Sequence, residues 1–360
     1  MNVLHISPTL YDRQGRLLGG GERYAIELAK AMSRTVPTRL VSFGEESSNA
    51  TMGDLEVVIL GRPWYIRGNR GNPLHRGLLS HLRWANVVHC HQKHVLNSSL
   101  SAMYCRIAGK RVFVTDHGGG GHDLSNFVST NGWYHGRLYQ SQFAKSVAND
   151  INSRSSTMIS GGVDIELFSP DPLVVKQPLV VFVGRMLPHK GINYLIQSLP
   201  EGVDLLIFGR PGPERYMQDL KNLAQGHNVQ FRPDCDDATI VESLRRAMAV
   251  VLPSVHQTMY QETTAVPELL GQSLLEGMAC GTAAIGTNIA SLPEIIHSES
   301  VGFLVAPNSE TELHSRIVWL RDHPKQAASM GLEARRRIEL EFTWPGVVQR
   351  CLQAYQLGAK

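Results

Sequence analysis

The stretch P-E-L-L-G-Q-S-L-L-E-G-M-A-C-G-T-A-A-I-G-T-N-I-A-S-L-P-E-I-I, Pro267 to Ile296, decides how the rest of the chain is read. Gly271 followed by Gln272 and Ser273 predicts a helix start near Gln272–Ser273. Eight helical residues rotate by roughly 80°, so Glu268 and Glu276 would not stack if both were helical. With Glu268 in the loop before the helix and Glu276 inside it, both can face one cleft. Between them the backbone N–H groups of Leu270, Gly271 and Gln272 make an anion site at a helix N-terminus. A phosphate bound there has a carboxylate on either side. Carboxylates repel phosphate and pair with hydroxyls, and a ligand carrying both groups is a sugar nucleotide. The same residues also fit an ordinary capped helix whose Leu274, Leu275, Met278 and Ala279 fill a core.

A chain of 360 residues fits two domains better than one. The net charge of +3 is too small to argue for nucleic acid. The five cysteines, Cys90, Cys105, Cys235, Cys280 and Cys351, are scattered and lack C-x-x-C pairing. That speaks against a disulfide framework or zinc site and for a reducing cytosol. The chain opens on a strand-like run, Val3–Ser7, without a signal peptide pattern. No apolar run approaches the roughly 18 residues of a membrane-spanning helix. The expectation is a soluble, cytoplasmic protein.

After Val3–Ser7 a loop closes on Gly19-Gly20-Gly21-Glu22, and Tyr24, Ile26, Leu28, Ala29 and Met32 mark an amphipathic helix. Strand, glycine turn and helix open a doubly wound α/β domain, whose ligands meet the carboxyl ends of strands. The spacing is not G-x-G-x-x-G, so a nicotinamide site is a weak reading. The glycines allow close approach of a ligand to the backbone, and a plain flexible turn is the other reading. Strands follow at Thr38–Phe43, Glu56–Leu60, Val87–Cys90 and Arg111–Thr115, an alternation that argues for a mainly parallel sheet. His89, His91 and His117 fall at strand ends. His89 and His91 can be structural or can face the crevice; the glycines Gly118–Gly121 after His117 favour function there.

From Val57 through Thr115 there is no acidic residue, while Arg62, Arg67, Arg70, Arg76, Arg83, Lys93, Arg106, Lys110 and Arg111 all occur, with Trp64, Tyr65 and Trp84 among them. Such a face can hold an anionic acceptor or make peripheral contact with the headgroups of an anionic membrane. It can equally be a solvated face whose acidic partners come from elsewhere in the fold.

Phe168 to Pro178 reads as a linker, and beyond it the pattern restarts. Leu179–Val183 is a strand, Gly184 to Gly191 a loop, and Ile192–Leu199 a helix. Arg185 and Lys190 put two cations beside a helix N-terminus, which suits a diphosphate leaving group. Strands at Asp204–Phe208, Val229–Arg232 and Ala249–Pro253 follow, with helices at Ala238–Ala247, Glu310–Asp322 and Pro324–Phe342. A last segment runs from Trp344 to Gln356.

In order, the motifs are G-G-G-E (Gly19–Glu22), H-C-H (His89–His91), T-D-H-G (Thr115–Gly118), S-G-G-V-D (Ser160–Asp164), F-V-G-R-M-L-P-H-K-G (Phe182–Gly191), L-P-S (Leu252–Ser254) and P-E-L-L-G-Q-S-L-L-E-G-M-A-C-G-T (Pro267–Thr282). This series resembles the retaining glycosyltransferase family 4, also called glycosyltransferase group 1. It spans nearly the whole chain and is loosest between Gly44 and Trp84. The resemblance implies an α/β fold of the GT-B type, two Rossmann-like doubly wound domains facing each other across a cleft that closes on its substrates. It divides the chain into an N-terminal acceptor-binding domain (1–170), a C-terminal nucleotide-sugar domain (171–342) and a terminal helix (343–360) returning to the first.

By position, the family implies that Arg185 and Lys190 grip the donor diphosphate, with Gly184 in the same loop. Glu276 would bond ribose hydroxyls, and Glu268 would contact the transferred sugar, helped by the amides of Leu270, Gly271 and Gln272. Gly20 and Gly21 would let the N-terminal loop close on the phosphates, and His117 would lie by the sugar. The implied function is retaining transfer of a hexose-type sugar from a UDP- or GDP-linked donor to a hydroxyl of a glycan, glycolipid or small metabolite. The donor is a substrate, no cofactor is expected, and the cations stand where other enzymes use a divalent metal. A nucleotide-sugar epimerase and a non-catalytic sugar-nucleotide-binding protein are the alternatives. Four departures stand out: the long loop Ser254–Glu268, Gln272-Ser273 after the glycine, Thr282-Ala283, and the glycine run Gly118–Gly121 beside His117.

Overall fold

Val3–Ile6 (β1) is a run of four buried residues, the pattern of a strand covered on both faces of a parallel sheet. The computed structural model describes residues 1–11, 19–118, 123–150, 153, 155–233 and 235–357. The chain folds as two compact units, Met1–Gly162 with Trp344–Lys360, and Val163–Thr343.

In the first unit β1 leads to α1 (Gly20–Ser33), β2 (Thr38–Gly44), β3 (Ser48–Met52) and β4 (Leu55–Gly61). A small hairpin, β5 (Trp64–Tyr65) and β6 (Pro73–Leu74), precedes α2 (Leu78–Trp84), β7 (Val87–His91), α3 (Leu96–Ile107) and β8 (Arg111–Thr115). β9 (Gly136–Tyr139), α4 (Gln142–Val147) and β10 (Ser156–Met158) complete the run. The eight-stranded sheet has the order β10-β9-β8-β7-β1-β2-β4-β3. All its pairs are parallel except the edge pair β3–β4. The order turns at β1, which pairs β2 on one side and β7 on the other. Such a switch point opens a crevice at the carboxyl ends of the strands.

The second unit holds β11 (Gln177–Val183), α5 (Ile192–Gln197), β12 (Asp204–Phe208), α6 (Glu214–Leu223), β13 (Val229–Arg232), α7 (Asp237–Arg246) and β14 (Ala247–Leu252). Then come α8 (Gln272–Ala279), β15 (Ala283–Thr287), α9 (Leu292–Ile295), β16 (Gly302–Val305), α10 (Glu310–Asp322) and α11 (Pro324–Glu341). Its sheet is wholly parallel, ordered β13-β12-β11-β14-β15-β16. This is the doubly wound order with its switch point between β11 and β14.

The boundary differs from the expected 170/171. Val163 bridges to Thr343, and the Arg335 guanidinium donates to the carbonyls of Ile165, Phe168 and Ala279. These bonds tie 163–168 to α11 and α8, so the irregular stretch read as a linker lies inside the second unit. The terminal helix α12 (Trp344–Leu357) groups with the first unit. Trp344 meets Tyr24 edge-on, and Arg111 donates to the Tyr355 carbonyl at 2.7 Å. No helix among the described residues is long and apolar enough to cross a membrane.

Candidate functional site

In the second unit the site residues converge at the switch point. The loop after β11 runs through Gly184, Arg185 and Lys190 to Gly191, and the loop after β14 runs to Glu268 and α8. The two loops are stitched together: the Val255 N–H donates to the His189 carbonyl at 2.8 Å. A Cβ on Gly191 would collide with the Pro253 carbonyl, and its φ of 66° is left-handed. Only glycine admits both the turn and the approach.

That seam brings Lys190 Nζ within 2.6 Å of Glu268 Oε2, a pair whose side chains are 12% and 13% exposed. The other carboxylate oxygen of Glu268 accepts the Gly271 N–H at 3.2 Å. Burial would raise the Glu268 carboxyl, but Lys190 and the Gly271 amide outweigh it and hold it below its ordinary value. The neighbouring His189 is lowered to about 4 by burial and by the charges of Lys190 and Arg185. Arg185 itself is exposed, and its guanidinium forms no ion pair or hydrogen bond among the described residues.

Gly271 caps α8 with φ 76°, and a Cβ there would press on Leu292 and Ile295. From Ser273 to Ala279 every residue of α8 is buried, Glu276 among them. Gly277 lets the helix lie against Val250 of β14. Burying Leu274, Leu275 and Met278 stabilises this packing by about 1.5–3 kcal/mol each. A carboxylate kept on a helix buried on all sides is costly without partners; Glu276 accepts from the Gln272 amide at 3.4 Å. The structure therefore places Glu268 in the loop and Glu276 in the helix, as the spacing suggested. It differs in one respect: the anion on the Gly271 amide is the carboxylate of Glu268.

The long loop after Ser254 is a folded hairpin, with Gln257 bridged to Thr263 and Tyr260 bonded to Asp219 of α6. Ser254, which closes the L-P-S motif but was given no role, has a buried hydroxyl with no hydrogen-bond partner among the described residues.

Gly20, Gly21 and His117 lie in the first unit. A Cβ on Gly21 would stand 2.8 Å from the His117 Cβ, whereas one on Gly20 meets nothing within 4 Å. The absence of a side chain at Gly21 thus leaves room for His117. Both ring nitrogens of His117 are engaged, Nδ1 by Gln140 at 2.7 Å and Nε2 by His91 at 3.0 Å. Gly119–Gly121, part of the glycine run after His117, lie outside the described residues. His89 bonds Thr115 and Tyr355, each at 2.8 Å. Two residues of this network, His5 and Gln140, carried no motif and were missed. In the basic stretch, Arg70 pairs with Glu45 at 2.8 Å, Lys110 donates to the Arg83 carbonyl at 2.8 Å and Arg111 reaches α12. Part of that charge is spent on protein partners.

The family model described as "Glycosyl transferases group 1" matches residues 164–337, nearly the span of the second unit. The second unit belongs to the glycosyl transferases group 1. Among curated relatives, the alpha-maltose-1-phosphate synthase of Mycolicibacterium smegmatis is 26% identical over 226 residues, 58% of this chain and 56% of that protein. The phosphatidyl-myo-inositol mannosyltransferase of Mycobacterium leprae is 24% identical over 294 residues, 76% of this chain and 74% of its own. The match thus spans little more than half of the first relative and about three quarters of the second. Among solved structures, Anabaena HepE in complex with UDP and glucose superposes with a TM-score of 0.75 at 18% identity, covering 99% of this chain and 100% of that one. This likeness covers both units and shows the GT-B fold that the group 1 motifs implied.

Proposed function

We propose that this protein transfers a hexose-type sugar from a UDP- or GDP-linked donor to an acceptor hydroxyl, with retention at the anomeric carbon. The observation that carries this reading is the Lys190–Glu268 pair, 2.6 Å across, at the switch point of a group 1 unit. Glu268 there acts as counter-ion to Lys190 and as the anion on the α8 amide. A diphosphate offers the same charge with more acceptors. On its arrival Lys190 and the Gly271 N–H turn to phosphate oxygens, and the exposed Arg185 supplies a second cation. Glu268, released from both, accepts from hydroxyls of the transferred sugar, and Glu276 from those of the ribose.

Departure of the nucleotide develops negative charge on the diphosphate, and fixed cations and amides stabilise that charge more than the ground state. Two side-chain cations and a helix N-terminus do this without a divalent ion, so transfer proceeds in EDTA. The leaving phosphate accepts the acceptor's proton on the same face of the sugar; no protein nucleophile is assigned. A donor of this class is supported by the UDP and glucose bound to HepE and by the sugar transfer or synthesis that the relatives' names describe. The acceptor is a saccharide, glycolipid or small metabolite hydroxyl. The test is a panel of UDP-, GDP- and ADP-sugars, scored by thermal shift and by release of nucleoside diphosphate, with and without EDTA. Stabilisation with slow metal-independent release supports the reading; conversion of donor to an epimer without acceptor would replace it.

A further inference from the structure

Three imidazoles of the first unit are joined end to end. His117 Nε2 lies 3.0 Å from His91 Nδ1, and His91 Nε2 lies 2.8 Å from His5 Nδ1. The rings are close to coplanar, with 11° between His117 and His91 and 21° between His91 and His5. The fold aligns them. His5 is the register partner of His89 across β1–β7, and His91, two residues on, shares that face; His91 is in turn the partner of Thr115 on β8. At the outer end the Gln140 Nε2 stands 2.7 Å from His117 Nδ1.

We propose that Gln140, His117, His91 and His5 form one directed hydrogen-bond chain that fixes which ring nitrogen of His117 carries its proton, with Gln140 and His5 as positioning residues for sugar transfer. An amide nitrogen only donates, so His117 accepts at Nδ1 and carries its proton at Nε2. His91 must then accept at Nδ1 and donate from Nε2, and His5 must accept at Nδ1 and carry its own proton at Nε2. Each ring carries a single proton, because burial lowers His5 to about 3, His117 to about 4, and His91 well below its ordinary value. The directed chain ends on the buried Nε2 of His5, which has no hydrogen-bond partner among the described residues. Reversal would demand that every ring change tautomer and that the Gln140 amide turn over. The chain keeps the lone pair of His117 at Nδ1, so a ligand hydroxyl that displaces the Gln140 amide meets an acceptor.

A metal site is the competing use of these residues, since His5, His89 and His91 have nitrogens within 4.8 Å of one another. The geometry opposes it. His89 and His91 lie face to face, 4.4 Å apart at 27°, so their in-plane lone pairs do not converge, and His5 and His91 already share a proton.

The part of the proposal that concerns transfer rests on the donor reading above, and the experiment separates the two. In protein labelled with 15N-histidine, two-bond 1H–15N spectra report the protonated nitrogen of each ring, assigned by His→Phe variants. The wild type is expected to show Nε2–H at His5, His91 and His117. Glu at position 140 can accept the His117 proton, so Gln140→Glu moves the proton to Nδ1 along the whole chain, His5 included. Gln140→Met, which adds no charge, leaves mixed tautomers and guards against a folding defect. Gln140→Glu should lower kcat about tenfold or more while donor affinity stays within about twofold. An unchanged His5 signal in Gln140→Glu would overturn the proposal. So would Zn2+ shifting His5, His89 and His91 together, or wild-type kcat with the chain reversed. Failure of the donor reading shows itself separately, as a wild type that binds no nucleotide sugar.

Discussion

Lys190 and Glu268, 78 positions apart in the chain, meet at 2.6 Å where the loops after β11 and β14 cross. Both are largely buried, and such pairs rarely add stability, because desolvating two charges cancels much of their attraction. Keeping one at a switch point makes sense if a ligand takes one partner away.

The first prediction follows from that exchange. Lys190→Ala should lower kcat by about 10²–10³, the usual loss when one stabiliser of developing charge is removed. Arg185→Ala should act in the same direction while leaving stability unchanged, since Arg185 is exposed. Steady-state kinetics with a donor from the panel measures both; wild-type turnover in Arg185→Ala would remove it from the cationic clamp.

Glu268 gives a pH prediction. Its carboxyl is held below the ordinary value of 4.5 in the folded protein. A depressed carboxylate contributes stability that is present above the unfolded value and lost as pH falls through the folded one. Denaturant unfolding should therefore show Glu268→Gln less stable than wild type at pH 7, with the gap closing below about pH 4.5. A gap independent of pH would mean that charge is not its origin.

The buried histidines act over a different window. His5, His89, His91, His117 and His189 are all lowered by burial in the folded state. The unfolded chain therefore binds more protons below about 6.5, and stability must fall as pH drops from there. Replacing His5 by Phe should flatten the slope of unfolding free energy between pH 6.5 and 4 relative to wild type.

Gly20 and Gly21 should part company. Gly20→Ala meets open space and should leave the melting temperature unchanged, while Gly21→Ala presses on the His117 Cβ and should cost about 1–3 kcal/mol. Equal behaviour of the two in thermal unfolding would contradict the packing described.

On the basic stretch, Trp64 is 63% exposed between Arg62 and Arg67. Peripheral contact through it predicts co-sedimentation with anionic vesicles that weakens as salt rises. Equal recovery with neutral and anionic vesicles would assign the stretch to ordinary protein contacts such as Arg70–Glu45.

Much of the second unit could be read from the chain because its signals are local. The switch from strand to helix at Gly184–Gly191 and the glycine before Gln272 mark their own boundaries. β15 escaped notice because Ala283–Thr287 is built of small residues, which carry little strand preference yet fit a fully buried centre. The edge strand β3 is exposed along most of its length and shows no alternation. Helix α6 buries only Tyr216 and Leu220, too thin a stripe to announce itself. The Glu268 carboxylate on its own helix cap was unreadable, since it depends on Lys190 arriving from another loop. His5 and Gln140 escaped for the same reason: their meaning lies in register across β1, β7, β8 and β9.

The most direct test of the central claim is a thermal-shift and hydrolysis screen of UDP-, GDP- and ADP-sugars in EDTA, wild type beside Lys190→Ala. One donor is expected to stabilise the wild type and slowly to release its nucleoside diphosphate, with release lost in Lys190→Ala. No shift and no release with any of the three classes would contradict it at the Lys190–Glu268 pair, where it begins.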